Sequence, residues 1–168
     1  MSNIVLIGMP GCGKSTVGVV LAKNLALDFI DSDLLIQREE GKRLSAIIEE
    51  CGDDGFREIE NRVNSRIQVE RSVIATGGSV IYGEEAMEHL KSIGTVIYLK
   101  LSYEQIEDRL GNLHARGVSI REGQTLHDLY DERCPLYERW ADITVDCDGK
   151  RLREVVLLIT GRLQGEEV

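Results

Sequence analysis

GMPGCGKS, residues 8–15, directly follows the apolar run Ile4-Val5-Leu6-Ile7, and reading it decides the fold. It matches G-x-x-x-x-G-K-[ST] and stands between an expected strand and an expected amphipathic helix, where the mechanism of that pattern needs it. A glycine-rich turn points successive backbone N–H groups into one concavity, and the helix behind it adds its positive end, so the two together hold phosphate. The segment predicts a nucleoside triphosphate site built from Gly11, Cys12, Gly13, Lys14, Ser15 and Thr16. Lys14 is expected to reach the β- and γ-phosphates, and the Ser15 hydroxyl to ligate Mg²⁺.

Working outward, a run of four apolar residues without alternation suits a strand buried on both faces of a parallel sheet. Further strands are expected at 29–31, 73–76, 96–101 and 143–145, and helices at 14–27, 34–40, 45–50, 53–70, 84–92, 103–110, 125–140 and 151–163. Gly41 is expected to break the second helix from the third, Ser45 and Ser102 to cap helices, and Pro135 to kink or divide the helix at 125–140. Strands alternating with helices imply an α/β protein, a parallel sheet covered on both sides. Ligands of such sheets lie beyond the carboxyl ends of the strands. The phosphate loop, Asp31 with Asp33, Gly77-Gly78 and a glycine-rich stretch at 111–124 all fall at that edge. The last of these has no clear period and reads as a lid.

Composition agrees with one globular domain over 1–168. Of the 168 residues, 42% are hydrophobic and 29% charged, with a net charge of −9. The negative charge argues against nucleic acid or an anionic membrane surface as a partner. No apolar run approaches the ~18 residues of a membrane span. Cys12, Cys51, Cys134 and Cys147 lack metal-ligand spacing and read as reduced thiols, so a cytoplasmic monomer acting on small molecules is expected. His89, His114 and His127 read as surface or lid residues.

A phosphate loop does not name the acceptor; other residues must. Asp33, just past the second strand, suits an acceptor hydroxyl, either as hydrogen-bond partner or as base. Asp31 suits a water in the Mg²⁺ shell, and either aspartate also suits a helix N-cap. Arg57 and Arg133, from separate helices, suit a two-sided clamp on a carboxylate. Glycine at 77 and 78 lets the backbone approach a ligand closely. Arg116, in the glycine-rich stretch, suits an arginine finger over the phosphates.

GMPGCGKST (8–16), FIDSD (29–33), FREIE (56–60), TGGS (76–79) and ERCPLYERWAD (132–142) together resemble the shikimate kinases in order and spacing. The resemblance implies ATP-dependent phosphorylation of the 3-hydroxyl of shikimate, a step toward chorismate and the aromatic amino acids. It implies a three-layer α/β/α kinase fold with a five-stranded parallel sheet in the order 2-3-1-4-5. By position it implies that Asp33 binds the shikimate hydroxyls, Arg57 and Arg133 its carboxylate, and Gly77 and Gly78 give backbone contact. It further implies that Glu60 orients Arg57, that Arg109 stacks on adenine, that residues 146–151, with Arg151, form the adenine loop, and that Arg116 is the catalytic lid arginine. Two departures stand out. Ser79 replaces a third glycine, at a cost on the order of 1 kcal/mol if that position needs a positive φ. Arg116-Gly117-Val118-Ser119 replaces Arg-Pro-Leu-Leu. They keep open a kinase of another small hydroxy acid or polyol, and, from a different class, a nucleotide-binding regulatory module.

Overall fold

The computed structural model describes residues 2–110 and 121–165. Arg116, His114 and most of the expected lid lie outside them. Strand β1 (Asn3–Ile7) sits at the centre of the sheet because it is apolar throughout, and Ile4 to Ile7 are at most 2% exposed. It pairs in parallel with β3 (Ser72–Ala75) on one side and β4 (Gly94–Lys100) on the other. Strand β2 (Asp28–Asp31) lies outside β3, and β5 (Ile143–Asp146) outside β4. The five-stranded order is therefore β2-β3-β1-β4-β5, as expected. The Asn3 side chain clips the opposite end of the sheet, donating to the carbonyls of Val69 and Ile93 and accepting from the Ser72 N–H.

Helices cover both sides, with α1 (Lys14–Leu25) against α7 (Leu152–Leu163), and α4 (Glu84–Ile93) between α3 (Leu44–Ser65) and the sheet. Helix α1 stops two residues short of the expected 27, because Ala26 turns into the left-handed region and returns its N–H to the Ala22 carbonyl. Helix α2 (Ser32–Glu40) ends at Gly41, which has φ 66°.

The break expected between helices at 45–50 and 53–70 is present at Gly52 (φ 71°, ψ 178°), where two helical stretches of α3 meet at a kink, and the second ends at Ser65 rather than 70. Ile67 continues the apolar period that suggested a longer helix, yet it enters the core from a loop. Ile36, Ile47, Phe56 and Val63 form a small core of their own between α2 and α3, which fixes these helices beside the sheet edge.

Helix α5 (Tyr103–Arg109) follows Ser102, whose side chain makes no cap; its N–H instead donates to Asp148. Helix α6 (Leu126–Trp140) opens with a Thr125/Asp128 capping box and runs through Pro135 undivided. Proline forfeits one hydrogen bond, but Leu129 and Arg133 before it and Tyr137 after it are all buried, so packing holds the helix together on both sides. His89 is half-buried, its Nε2 2.6 Å from the Ile67 carbonyl oxygen, while exposed His127 pairs with Asp131.

Candidate active site

At the carboxyl edge of β1, Gly11 (φ 78°) and Gly13 (φ 97°) take backbone conformations that side chains disfavour, and α1 begins straight after. Lys14 is buried and curls back, donating to the carbonyls of Gly8 (2.7 Å) and Met9 (2.9 Å). Cys12 is buried in the core, its Sγ 3.7 Å from the Lys14 ammonium. Ser15 and Thr16 are exposed at the first turn.

Asp31 caps α2, as expected, and also reaches the phosphate loop. Its Oδ1 accepts the Asp33 N–H and caps α2, while its Oδ2 accepts the Ser15 hydroxyl at 2.9 Å. The Ser15–Asp31 pair presents hard oxygen donors beside the phosphate loop, the donor set that suits Mg²⁺ alongside substrate phosphates. No group of three His, Cys, Asp or Glu side chains among the described residues forms a metal cage.

The loop opens onto a cavity of about 370 Å³ that Asp33, Glu60, Gly77, Gly78 and Arg133 also line, with Leu44 and Phe56 as its apolar wall. Asp33 Oδ1 is buried without a hydrogen-bond partner. Burial first, and Asp31 second, push the Asp33 carboxyl up to about 6, against the pull of Lys14. Gly77 is fixed by its neighbours rather than by φ, since a Cβ there would lie 2.6 Å from Glu60 Oε2 and 2.8 Å from Asp33 Oδ1. At Gly78 a Cβ would meet Pro10 and Arg133, and its carbonyl accepts the Tyr137 hydroxyl at 2.6 Å.

The two arginines meet on a residue that sequence reasoning overlooked. Arg57 Cζ stands 3.8 Å from the centre of the Tyr82 ring and Arg133 Cζ 5.5 Å from it. Arg133 lines the main cavity and is 1% exposed; Arg57 lines an adjoining depression with Tyr82. Arg57 Nε and Nη2 are buried without hydrogen-bond partners, as is Glu60 Oε2. Glu60 thus makes no hydrogen bond to those Arg57 nitrogens, and acts on Arg57 through charge. Its Oε1 accepts the Ser79 hydroxyl instead. Ser79 itself has φ −95°, so the cost expected for a non-glycine there does not arise.

A second, smaller cavity of about 190 Å³ behind the loop is lined by Gly13, Thr16, Arg109, Cys147, Lys150 and Leu152, among others. Arg109 also donates to the Gly11 carbonyl at 3.4 Å. Arg151, expected there, is not among the lining residues; it precedes α7 as its N-cap, and its neighbours Lys150 and Leu152 face the cavity. Cys147 and Lys150 both lie in the stretch 146–151 that the resemblance implies for the adenine loop.

The family model described as shikimate kinase matches residues 10–164. The shikimate kinase of Persephonella marina is 35% identical over 98% of this chain and its own full length. That of Thermodesulfovibrio yellowstonii is 39% identical, over 92% of this chain and 91% of the relative. The structure of shikimate kinase from Acinetobacter baumannii in complex with shikimate superposes with a TM-score of 0.85 at 31% identity, covering 98% of this chain and 94% of that one. With a phosphate loop that opens onto a cavity at the carboxyl edge of the sheet, and with these likenesses along nearly its whole length, the chain belongs to the shikimate kinase family.

Proposed function

We propose that the chain transfers the γ-phosphoryl group of ATP to the 3-hydroxyl of shikimate, giving 3-phosphoshikimate and ADP. The observation that carries this reading is Asp33 Oδ1. It is a buried carboxylate oxygen with no partner, in the cavity that the phosphate loop also lines. Buried polar atoms are rarely left unsatisfied, and an acceptor hydroxyl is the missing partner that fits. A carboxyl raised to about 6 lies near the range in which a base works at neutral pH.

Lys14 leaves the Gly8 and Met9 carbonyls for the β- and γ-phosphates. Ser15 and Asp31 would hold Mg²⁺, Asp31 through a water; the ion, when bound, would neutralise phosphate charge. Asp33 orients the acceptor hydroxyl and takes its proton. Arg57 and Arg133 hold the acceptor carboxylate, with backbone contact from Gly77 and Gly78. Arg109 lies against the base of the nucleotide, with the segment around Arg151. For Arg116 the support is sequence spacing alone, seven residues beyond Arg109. The chain works as one domain and as a monomer in the cytoplasm, without nucleic acid or membrane as partner. The net charge of −9 and the free thiols support that part of the reading.

The test is ADP release from Mg-ATP with shikimate, with quinate, with gluconate and with no acceptor. Release that depends on shikimate is expected; release with another acceptor alone, or with none, contradicts the reading. A narrower prediction concerns Tyr82. Replacing it with leucine removes a cation–π contact worth roughly 0.5–2 kcal/mol, so the shikimate KM rises about tenfold while the ATP KM stays within twofold. Tyr82→Phe keeps the ring and stays near wild type in the same steady-state assay.

A further inference from the structure

Ser79 replaces a glycine expected of the family, and its backbone has no need of one. Its side chain is buried, 5% exposed, and its hydroxyl donates to Glu60 Oε1. Glu60 is 1% exposed. The Ser79 bond is the one side-chain hydrogen bond recorded for Glu60 among the described residues; Oε2 lies against Gly77 with no partner. Asp33 from α2, Arg57 from Glu60's own helix and Arg133 from α6 are the charged groups that act on it. Without a hydroxyl at 79, no side-chain hydrogen bond from the described residues would fix the rotation of this carboxylate.

We propose that Ser79 is a positioning residue for the acceptor, its hydroxyl fixing the Glu60 carboxylate among Arg57, Arg133 and Asp33 and so keeping the two guanidinium groups in place for the acceptor's carboxylate. The proposal rests on the shikimate reading given above. Two guanidinium groups held near one Tyr82 ring repel each other, and an ionised Glu60, on which both act, offsets that repulsion. Burial pushes the Glu60 carboxyl up to about 7, and Asp33 adds to the rise, whereas the Ser79 hydrogen bond and the two arginines hold it down. A donor to the charged form favours ionisation. Removing the hydroxyl therefore protonates Glu60 at higher pH, and the clamp weakens on the acid side.

The experiment compares wild type, Ser79→Ala and Ser79→Gly in steady-state kinetics from pH 5.5 to 9. A ¹³C NMR titration of the glutamate carboxyls accompanies it, with Glu60→Gln identifying the Glu60 signal. A hydrogen bond to a charged group is strong enough for a shift of about one pH unit and a change in KM of about tenfold. The expected result is an acid limb of kcat/KM for shikimate moved up by about one unit in both variants, with the shikimate KM near pH 6.5 raised about tenfold. The ATP KM and the ADP affinity stay within twofold. Alanine and glycine behave alike, because what they lack is the hydroxyl; a difference between them in KM with no movement of the limb marks a steric role and overturns the proposal. An unmoved Glu60 titration in either folded variant overturns it as well. So do an unchanged limb and KM in variants of an active wild type, and then the proposal falls alone. A wild type without shikimate-dependent ADP release overturns the underlying reading and takes the proposal with it.

Discussion

Asp33→Asn lowers kcat with shikimate by about three orders of magnitude while the ATP KM stays within a few-fold. A positioned acid–base group contributes typically 10²–10⁴ to a rate, and asparagine keeps the size and a hydrogen-bonding oxygen of aspartate but cannot take the proton. The substitution spares the nucleotide side. The Ser15–Asp31 contact and the Asp33 N–H bond that caps α2 use groups the variant retains. The variant also separates lost chemistry from lost structure. Asp33 and Glu60 are two carboxylates crowded against Gly77, and the charge on each makes the other costlier. Removing one charge relieves that repulsion, so the melting temperature holds or rises as turnover collapses. A variant with full kcat contradicts the role given to Asp33, and one that melts well below wild type shows that the aspartate serves the fold instead.

The sheet was legible because each strand is short, apolar and bounded by a turn, and because the phosphate loop anchors the first strand–helix unit. The acceptor side was legible in its residue types but less in its contacts. Arg57, Arg133, Asp33 and the glycine pair carry charge or freedom that a sequence displays. Their arrangement depends on Tyr82, a lone aromatic with no period to mark it, and on Ser79, which looked like a cost and makes a hydrogen bond. The overlong helix prediction has the same origin. Ile67 keeps the helical spacing past Ser65 because the core needs an apolar residue there, and the core is indifferent to whether a helix or a loop delivers it. Gly52, by contrast, breaks the helical backbone where a break is expected, and Ile47 on one side and Phe56 on the other are buried in the same small core. Periodicity reports which residues are buried; it does not report where a hydrogen-bonded run stops.

Gly77→Ala is expected to lower kcat/KM for shikimate by about 100-fold and to leave nucleotide binding intact. The nearest atoms to the new methyl are side-chain oxygens of Glu60 and Asp33, at 2.6 and 2.8 Å. Both distances are too short to persist, so the carboxylates must shift. A misplacement of about 1 Å at a reacting group costs on the order of 10²-fold in rate. Crowding a packed site costs roughly 1–3 kcal/mol, which lowers the melting temperature of a chain this size by roughly 2–12 °C. Gly78→Ala supplies the contrast. Its methyl would meet Pro10 of the phosphate loop at 2.8 Å and Arg133 at 3.0 Å, so it disturbs the ATP and shikimate constants together. Steady-state kinetics against each substrate, with calorimetric ADP binding, separate the two variants. If Gly77→Ala retains wild-type constants for shikimate, the positions of Asp33 and Glu60 do not govern the acceptor step. If it instead loses ADP binding, the two halves of the cavity are not independent, and the division of labour between loop and carboxylates must be redrawn.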